Sequence, residues 1–193
     1  MFAVSCVAPH ARPVVTHPVV GRNTGQRRGG NRAVLCTASS ASGDGTVDYK
    51  KFRVLITGST KGLGFALARG FLENGDQVVV TSRDENRVLE TLASLRNDFG
   101  SAKVFGIAAD VSNPDSVAKL CAFAKHEMGG VDIWINNAGA NGYVYANLVE
   151  CDPDVLKEIV LTNSLGALLC CQSAIAMMRE QVRNFPIHHV PPP

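Results

Sequence analysis

Thr57 to Gly64 reads TGSTKGLG, with glycines at 58, 62 and 64. A loop without side chains can turn tightly and bring its amides against a pyrophosphate. A helix that begins just after it aims the positive end of its dipole at the same anion. Gly58, Ser59, Thr60, Lys61, Gly62, Leu63 and Gly64 are therefore read as a nucleotide cradle rather than as an ordinary glycine turn. Further on, an apolar run ends in Thr81-Ser82-Arg83. A site for an unphosphorylated ribose places Asp or Glu there, to accept from the 2′-hydroxyl. Arg83 instead offers a planar fork suited to a 2′-phosphate, and Lys61 adds a second cation. The two cations predict NADPH as cofactor, with Ser82 and Arg83 at the ribose. Asp84 is the contrary charge, and is read as the start of the next helix.

Metal chemistry has no support. The six cysteines, at 6, 36, 121, 151, 170 and 171, show no CxxC or Cys/His spacing of zinc type. Most fall in apolar helical patterns, where a free thiol packs as a small hydrophobe. His188 and His189 diverge as sequence neighbours and have no third ligand close by, so no metal site is expected.

A frame must hold the cradle. FRVLITG (52–58), QVVVTSR (77–83), AKVFGIAAD (102–110) and VDIWINNAG (131–139) are short, continuously apolar strands. Between them lie helical patterns ending at Asn74-Gly75, at Gly100 and at the pair Gly129-Gly130. Asn113 with Pro114, and Asp152 with Pro153, are N-cap and first-turn signals. Strands that are apolar throughout are buried on both faces. The expected fold is α/β, a Rossmann-like doubly wound parallel sheet of about four strands.

Five arginines and no acidic residue lie in residues 1–43, which leaves the remaining 14 basic and 17 acidic residues at net −3. A nucleic-acid patch would put its charge on the folded part, so nucleic acid is excluded as a partner. The basic, acid-free leader has the composition of an organelle transit peptide. RAVLCTASSA (32–41) resembles a plastid processing site near Cys36. The expected organisation is a disordered plastid transit peptide over 1–36, a linker over 37–50, a partial NADP-binding domain over 51–182, and an unrelated tail over 183–193. Ile159 to Met178 carries no charge and is about bilayer length. Thr162, Asn163, Ser164, Gly166, Gln172 and Ser173 interrupt it, so a buried core helix is expected.

The GxxxGxG spacing, together with INNAG at 135–139, resembles the short-chain dehydrogenase/reductase family. That resemblance implies that Asn137, Ala138 and Gly139 brace the sheet beside the cofactor. It implies that Asp110, followed by Val111, contacts the adenine. Asn163 in LTNSLG matches the helix asparagine of the catalytic tetrad, which holds a water in the proton relay. ITGSTKGLGFALARGFLENGDQVVVTSR, DIWINNAGANG and IVLTNSLGALLC look like the chlorophyll(ide) b reductase branch, of the stay-green type. The likeness spans roughly 51–179. It implies chlorophyll b or chlorophyllide b as substrate, reduction of its 7-formyl group to hydroxymethyl by NADPH, and a stromal or thylakoid-surface location. A homo-oligomer with peripheral thylakoid association is implied for the full-length form.

The family's proton donor is a Tyr with a Lys four residues on, beside a Ser that holds the carbonyl. Tyr49, Tyr143 and Tyr145 are followed at that spacing by Arg53, Asn147 and Val149, so no such pair occurs. The chain is expected to be the N-terminal, cofactor-binding part of a longer reductase, inactive by itself. A plastid 3-oxoacyl-acyl-carrier-protein reductase, or a non-catalytic dinucleotide-binding or interaction isoform, are the alternatives.

Overall fold

The computed structural model describes residues 4–7, 51–141 and 147–183. The processing site near Cys36, the 37–50 linker, Tyr143, Tyr145, and the 184–193 stretch with His188-His189 lie outside the described residues.

Four strands run parallel: β2 (Arg53–Ile56), β3 (Gln77–Ser82), β4 (Val104–Ala108) and β5 (Ile133–Asn136). With β1 (Val4–Val7) they form one sheet in the order β1-β5-β2-β3-β4. Leu55 sits level with Val79 on one side and Trp134 on the other. Helices α1 (Gly62–Glu73), α2 (Glu85–Phe99) and α3 (Pro114–Met128) connect the parallel strands in turn. The apolar runs are explained by burial: Val54, Leu55, Ile56, Val78, Val79 and Val80 are all fully inaccessible. Side chains alternate between faces. Val54, Ile56, Val78 and Val80 therefore pack with Ala68, Leu72 and Leu95 of α1 and α2. Leu55, Val79 and Trp134 pack with Val117, Leu120 and Ala124 of α3, and with Cys170 and Ala174 further along the chain.

The helix boundaries follow the expected signals. Asp84 caps α2 by accepting from the Arg87 amide, so it does start the helix. Asn113 Oδ1 accepts from the amides of Asp115 and Ser116, with Pro114 at the first turn. Gly75, Gly100 and Gly129 all have positive φ just beyond helix ends.

Val4–Val7 forms β1 and pairs antiparallel with β5, Val4 opposite Asn136 and Val7 opposite Ile133. Unsatisfied strand-edge amides and carbonyls are a template for any short β-prone segment. One expectation is corrected: the long apolar helix, expected to be a buried core helix, is neither uniform nor wholly buried. It runs as α4 (Pro153–Val160), a π-helical segment (Leu161–Gly166) and α5 (Ala167–Arg183). Thr162, Gly166, Cys170, Ala174, Met177 and Met178 are buried, one stripe at helical spacing. Val160, Leu165, Leu168 and Ile175 are exposed on other faces. Residues 153–182 are, by length and composition, apolar enough to cross a membrane.

The buried stripe sets a thiol reactivity. Burial pushes the Cys170 thiol up to about 12, with Cys121 and Cys171 adding to the effect. The thiolate is the reactive form, so at pH 8 it is about a thousandfold scarcer at Cys170 than at an ordinary cysteine. Native-state alkylation followed by mass spectrometry should leave Cys170 unmodified; labelling at the rate of an exposed thiol would contradict its placement. The raised value also ties stability to pH. The folded state keeps a proton that the unfolded chain loses, so this contribution is intact below about pH 9 and is lost as pH rises toward 12.

Candidate functional site: a cleft at the carboxyl ends of the strands

Parallel strands deliver their following loops to one edge of the sheet, where ligands of such folds sit. Here these loops enclose a cleft of about 600 Å³, within the range of small-molecule and cofactor sites. Gly58, Thr60, Lys61, Gly62 and Leu63 line it from the first loop. Ser82, Arg83, Asp84 and Arg87 follow β3, and Ala109 and Val111 follow β4. Asn137, Ala138, Gly139 and Ala140 follow β5, and Glu158 and Thr162 come from the α4 helix and the π turn.

The first loop is shaped for an anion. Asp84, Asn113 and Asp152 cap α2, α3 and α4 with side-chain oxygens. The N-cap of α1 is Lys61, with extended backbone and no side-chain cap bond. Lysine is a donor only, so the first-turn amides of α1 have no side-chain acceptor from their cap, while a cation stands beside them. That is the donor set a phosphate fits. Close packing requires glycine at two points. Gly58 has φ 64°, and a Cβ there would come within 2.7 Å of Ala138 Cα. A Cβ on Gly64 would run into the Asn137 side-chain amide and lie 2.6 Å from the Gly58 carbonyl.

Asn137 braces this loop against the end of β5. Its Nδ2 donates to the carbonyls of Thr57 at 3.0 Å and Gly58 at 2.9 Å. Thr57 Oγ1 in turn accepts from the amides of Asn137 and Ala138, both at 3.0 Å. Thr57 was not among the expected site residues; the available signal was a hydroxyl directly after a buried strand. Ser59 is a correction in the other direction. It is fully buried, its Oγ donates to the Ile56 carbonyl at 2.6 Å and accepts from the Thr81 amide. It ties the glycine loop to β3 from inside. Gly64 likewise serves helix-to-strand packing.

Charge gathers at the end of β3. Arg83, 55% exposed, donates to Glu158 Oε1 at 2.7 Å, and Arg87 pairs with Asp84 at 3.2 Å. With Lys61, the cleft carries three cations against two carboxylates. Arg87 and Glu158 were missed by sequence reasoning. Arg87 was legible as the first-turn arginine after Ser82-Arg83. Glu158 lies 75 residues from Arg83 and carried no signal.

Asp110 has its carboxylate turned to Ser112, accepting from both its amide and its hydroxyl, so it shapes the turn after β4. Val111 lines the cleft. Asn163 stands on the π-helical segment, a helical irregularity often found at functional sites. Its Oδ1 accepts from the Ala140 amide at 2.8 Å, and its Nδ2 donates to the Ala140 carbonyl at 2.7 Å. The asparagine thus clamps the loop after β5 to the helix. An amide keeps one further donor and acceptor valence after such a pair of bonds.

The family model for short chain dehydrogenase matches residues 53–184. The chain is 44% identical over 168 residues to the chloroplastic chlorophyll(ide) b reductase NOL of Oryza sativa subsp. japonica, covering 84% of this chain and 49% of that protein. Among solved structures, it resembles L-sorbose reductase from Gluconobacter frateurii complexed with NADPH and L-sorbose. There the TM-score is 0.61 and the identity 28%, over 68% of this chain and 49% of the other. It also resembles 3-ketoacyl-(acyl-carrier-protein) reductase from Brucella melitensis complexed with NADH. That pair gives TM-score 0.60 and 30% identity, over 66% and 50% of the two chains. The chain thus spans about half the length of the relatives it matches. The parallel sheet, the glycine cradle and the matched span lead to one conclusion: this chain belongs to the short-chain dehydrogenase family.

Proposed function

We propose that this chain is the dinucleotide-binding part of an NADPH-dependent oxidoreductase of the chlorophyll(ide) b reductase type. Its substrate would be chlorophyll b or chlorophyllide b, reduced from 7-formyl to 7-hydroxymethyl in the chloroplast. One observation carries the reading: the 44% identity, over 84% of this chain, to a protein named for that substrate. The cleft supports the cofactor half. The α1 amides and Lys61 would hold the pyrophosphate. Arg83, with Ser82, would hold a 2′-phosphate, for which a guanidinium fork is the matched donor. Val111 would line the adenine side.

When bound, NADPH supplies the hydride for carbonyl reduction. This chain's part would be to hold and orient. Asn137 and Thr57 would fix the floor of the cleft through the strand-end hydrogen bonds described above. Asn163 would fix Ala140 and, with its remaining valences, hold a water on the proton path. No Tyr-x-x-x-Lys is present in the 193 residues to donate the proton. For this polypeptide alone, that sequence fact favours a second reading, a non-catalytic dinucleotide-binding module. The exposed Val160, Leu165, Leu168 and Ile175 support self-association through the α4–α5 face, since apolar surface of this kind marks contact sites.

The test is a pigment assay on the intact gene product. Chlorophyll b should be converted to 7-hydroxymethyl chlorophyll a with consumption of NADPH. Turnover of a 3-oxoacyl-acyl-carrier-protein ester without pigment conversion would move the assignment to a plastid 3-oxoacyl reductase.

A further inference from the structure

The two carboxylates in the cleft are not equivalent. Asp84 is committed to the fold: it caps α2 through the Arg87 amide and holds the Arg87 side chain within the same turn. Glu158 comes from α4, on the opposite wall, and its carboxylate meets the Arg83 guanidinium at 2.7 Å. We propose that Glu158 is a specificity-determining counter-charge. It holds Arg83 through this ion pair and must give it up when a 2′-phosphate arrives. The inference rests on the reading of Arg83 as the 2′-phosphate ligand.

The chemistry follows from valence and charge. A guanidinium fork binds a carboxylate or a phosphate in the same planar manner, so both anions compete for one donor face. A 2′-phosphate entering the cleft also meets the Glu158 charge directly, and like charges at such range repel. A 2′-hydroxyl meets no such repulsion and has little claim on Arg83. Glu158 therefore lowers affinity selectively for the phosphorylated dinucleotide and narrows its advantage over the unphosphorylated one. Arg83 and Glu158 are both about half exposed, so the effect is modest and screened by salt.

The experiment is equilibrium binding of NADP⁺, NAD⁺ and 2′,5′-ADP to the intact protein and to Glu158→Gln, Arg83→Ala and the double variant. Glu158→Gln should tighten NADP⁺ and 2′,5′-ADP about two- to fivefold at low salt, the size of an exposed ion pair. It should leave NAD⁺ unchanged, and its effect should shrink at high salt. In the Arg83→Ala background, Glu158→Gln should lose most of its effect, because neighbours sharing one interaction are not additive. Equal changes for NADP⁺ and NAD⁺ would assign Glu158 a purely structural role and overturn the proposal. Weaker NADP⁺ binding would overturn it too, making Glu158 a support for Arg83. If Arg83→Ala leaves NADP⁺ affinity untouched, the reading of Arg83 itself fails. If Arg83→Ala weakens NADP⁺ but Glu158→Gln changes nothing, only the counter-charge proposal fails.

Discussion

Supplied with NADPH and chlorophyll b, the 193-residue polypeptide should turn over at least 10²–10⁴-fold more slowly than a family member carrying the Tyr-Lys pair. That is the range over which a positioned general acid contributes. Hydride arriving at a carbonyl leaves an alkoxide, and the alkoxide needs a proton within hydrogen-bond reach. None of the three tyrosines has a lysine four residues on. Asn163 cannot substitute, since an amide is not an acid near neutral pH, and its two polar atoms are engaged with Ala140. The measurement is single-turnover pigment analysis by chromatography, which detects even slow conversion. Turnover close to that of the complete relative would show that another group in this chain donates the proton.

The second large effect is on stability. Trp134→Ala should cost about 3–5 kcal/mol, the usual range for truncating a buried aromatic. Trp134 is fully buried at the centre of β5, level with Leu55, in the core that α3 and α5 cover. Its indole also donates to Asn136 Oδ1 at 3.0 Å. The expected loss rivals the whole stability of many domains, so the variant should be largely unfolded or aggregated. Trp134→Phe separates the terms: it keeps most of the ring volume but leaves Asn136 Oδ1 without the indole donor. It should cost about 1–3 kcal/mol. Denaturant unfolding followed by circular dichroism reads both. A Trp134→Ala midpoint close to wild type would mean that β5 does not hold the core together as described.

The parallel strands and their helices were legible because both faces of the sheet are covered. Double burial forces continuous apolar runs, and these bracket the glycine, asparagine and proline signals at helix ends. The cradle was legible for a related reason: glycine is required where backbone meets backbone, as Gly58 meets Ala138. Ser59 shows the limit. It was read as part of the cradle, but whether it faced the cleft or the core depended on hydrogen bonds to Ile56 and Thr81 that residue types do not encode. Val4–Val7 carried little signal because only its two valines favour a strand; the neighbouring edge of β5 gives the segment a place. The π turn at Leu161–Gly166 lies inside one apolar helical pattern, and one residue inserted in a single turn leaves the helical period on either side unchanged. Glu158 was invisible because an exposed charge on a helix declares no partner.

The proposed binding of a 2′-phosphorylated nicotinamide dinucleotide rests on Arg83 and Lys61. Its most direct test is a side-by-side titration of the intact protein with NADPH and NADH, followed by intrinsic fluorescence of Trp134 or by calorimetry, with Arg83→Ala beside it. NADPH should bind at least about tenfold more tightly, the worth of one charge-assisted contact of roughly 1.5–3 kcal/mol. Arg83→Ala should remove most of that preference while leaving NADH affinity nearly unchanged. Equal affinity for the two dinucleotides, or a preference for NADPH that survives the loss of Arg83, would contradict the account.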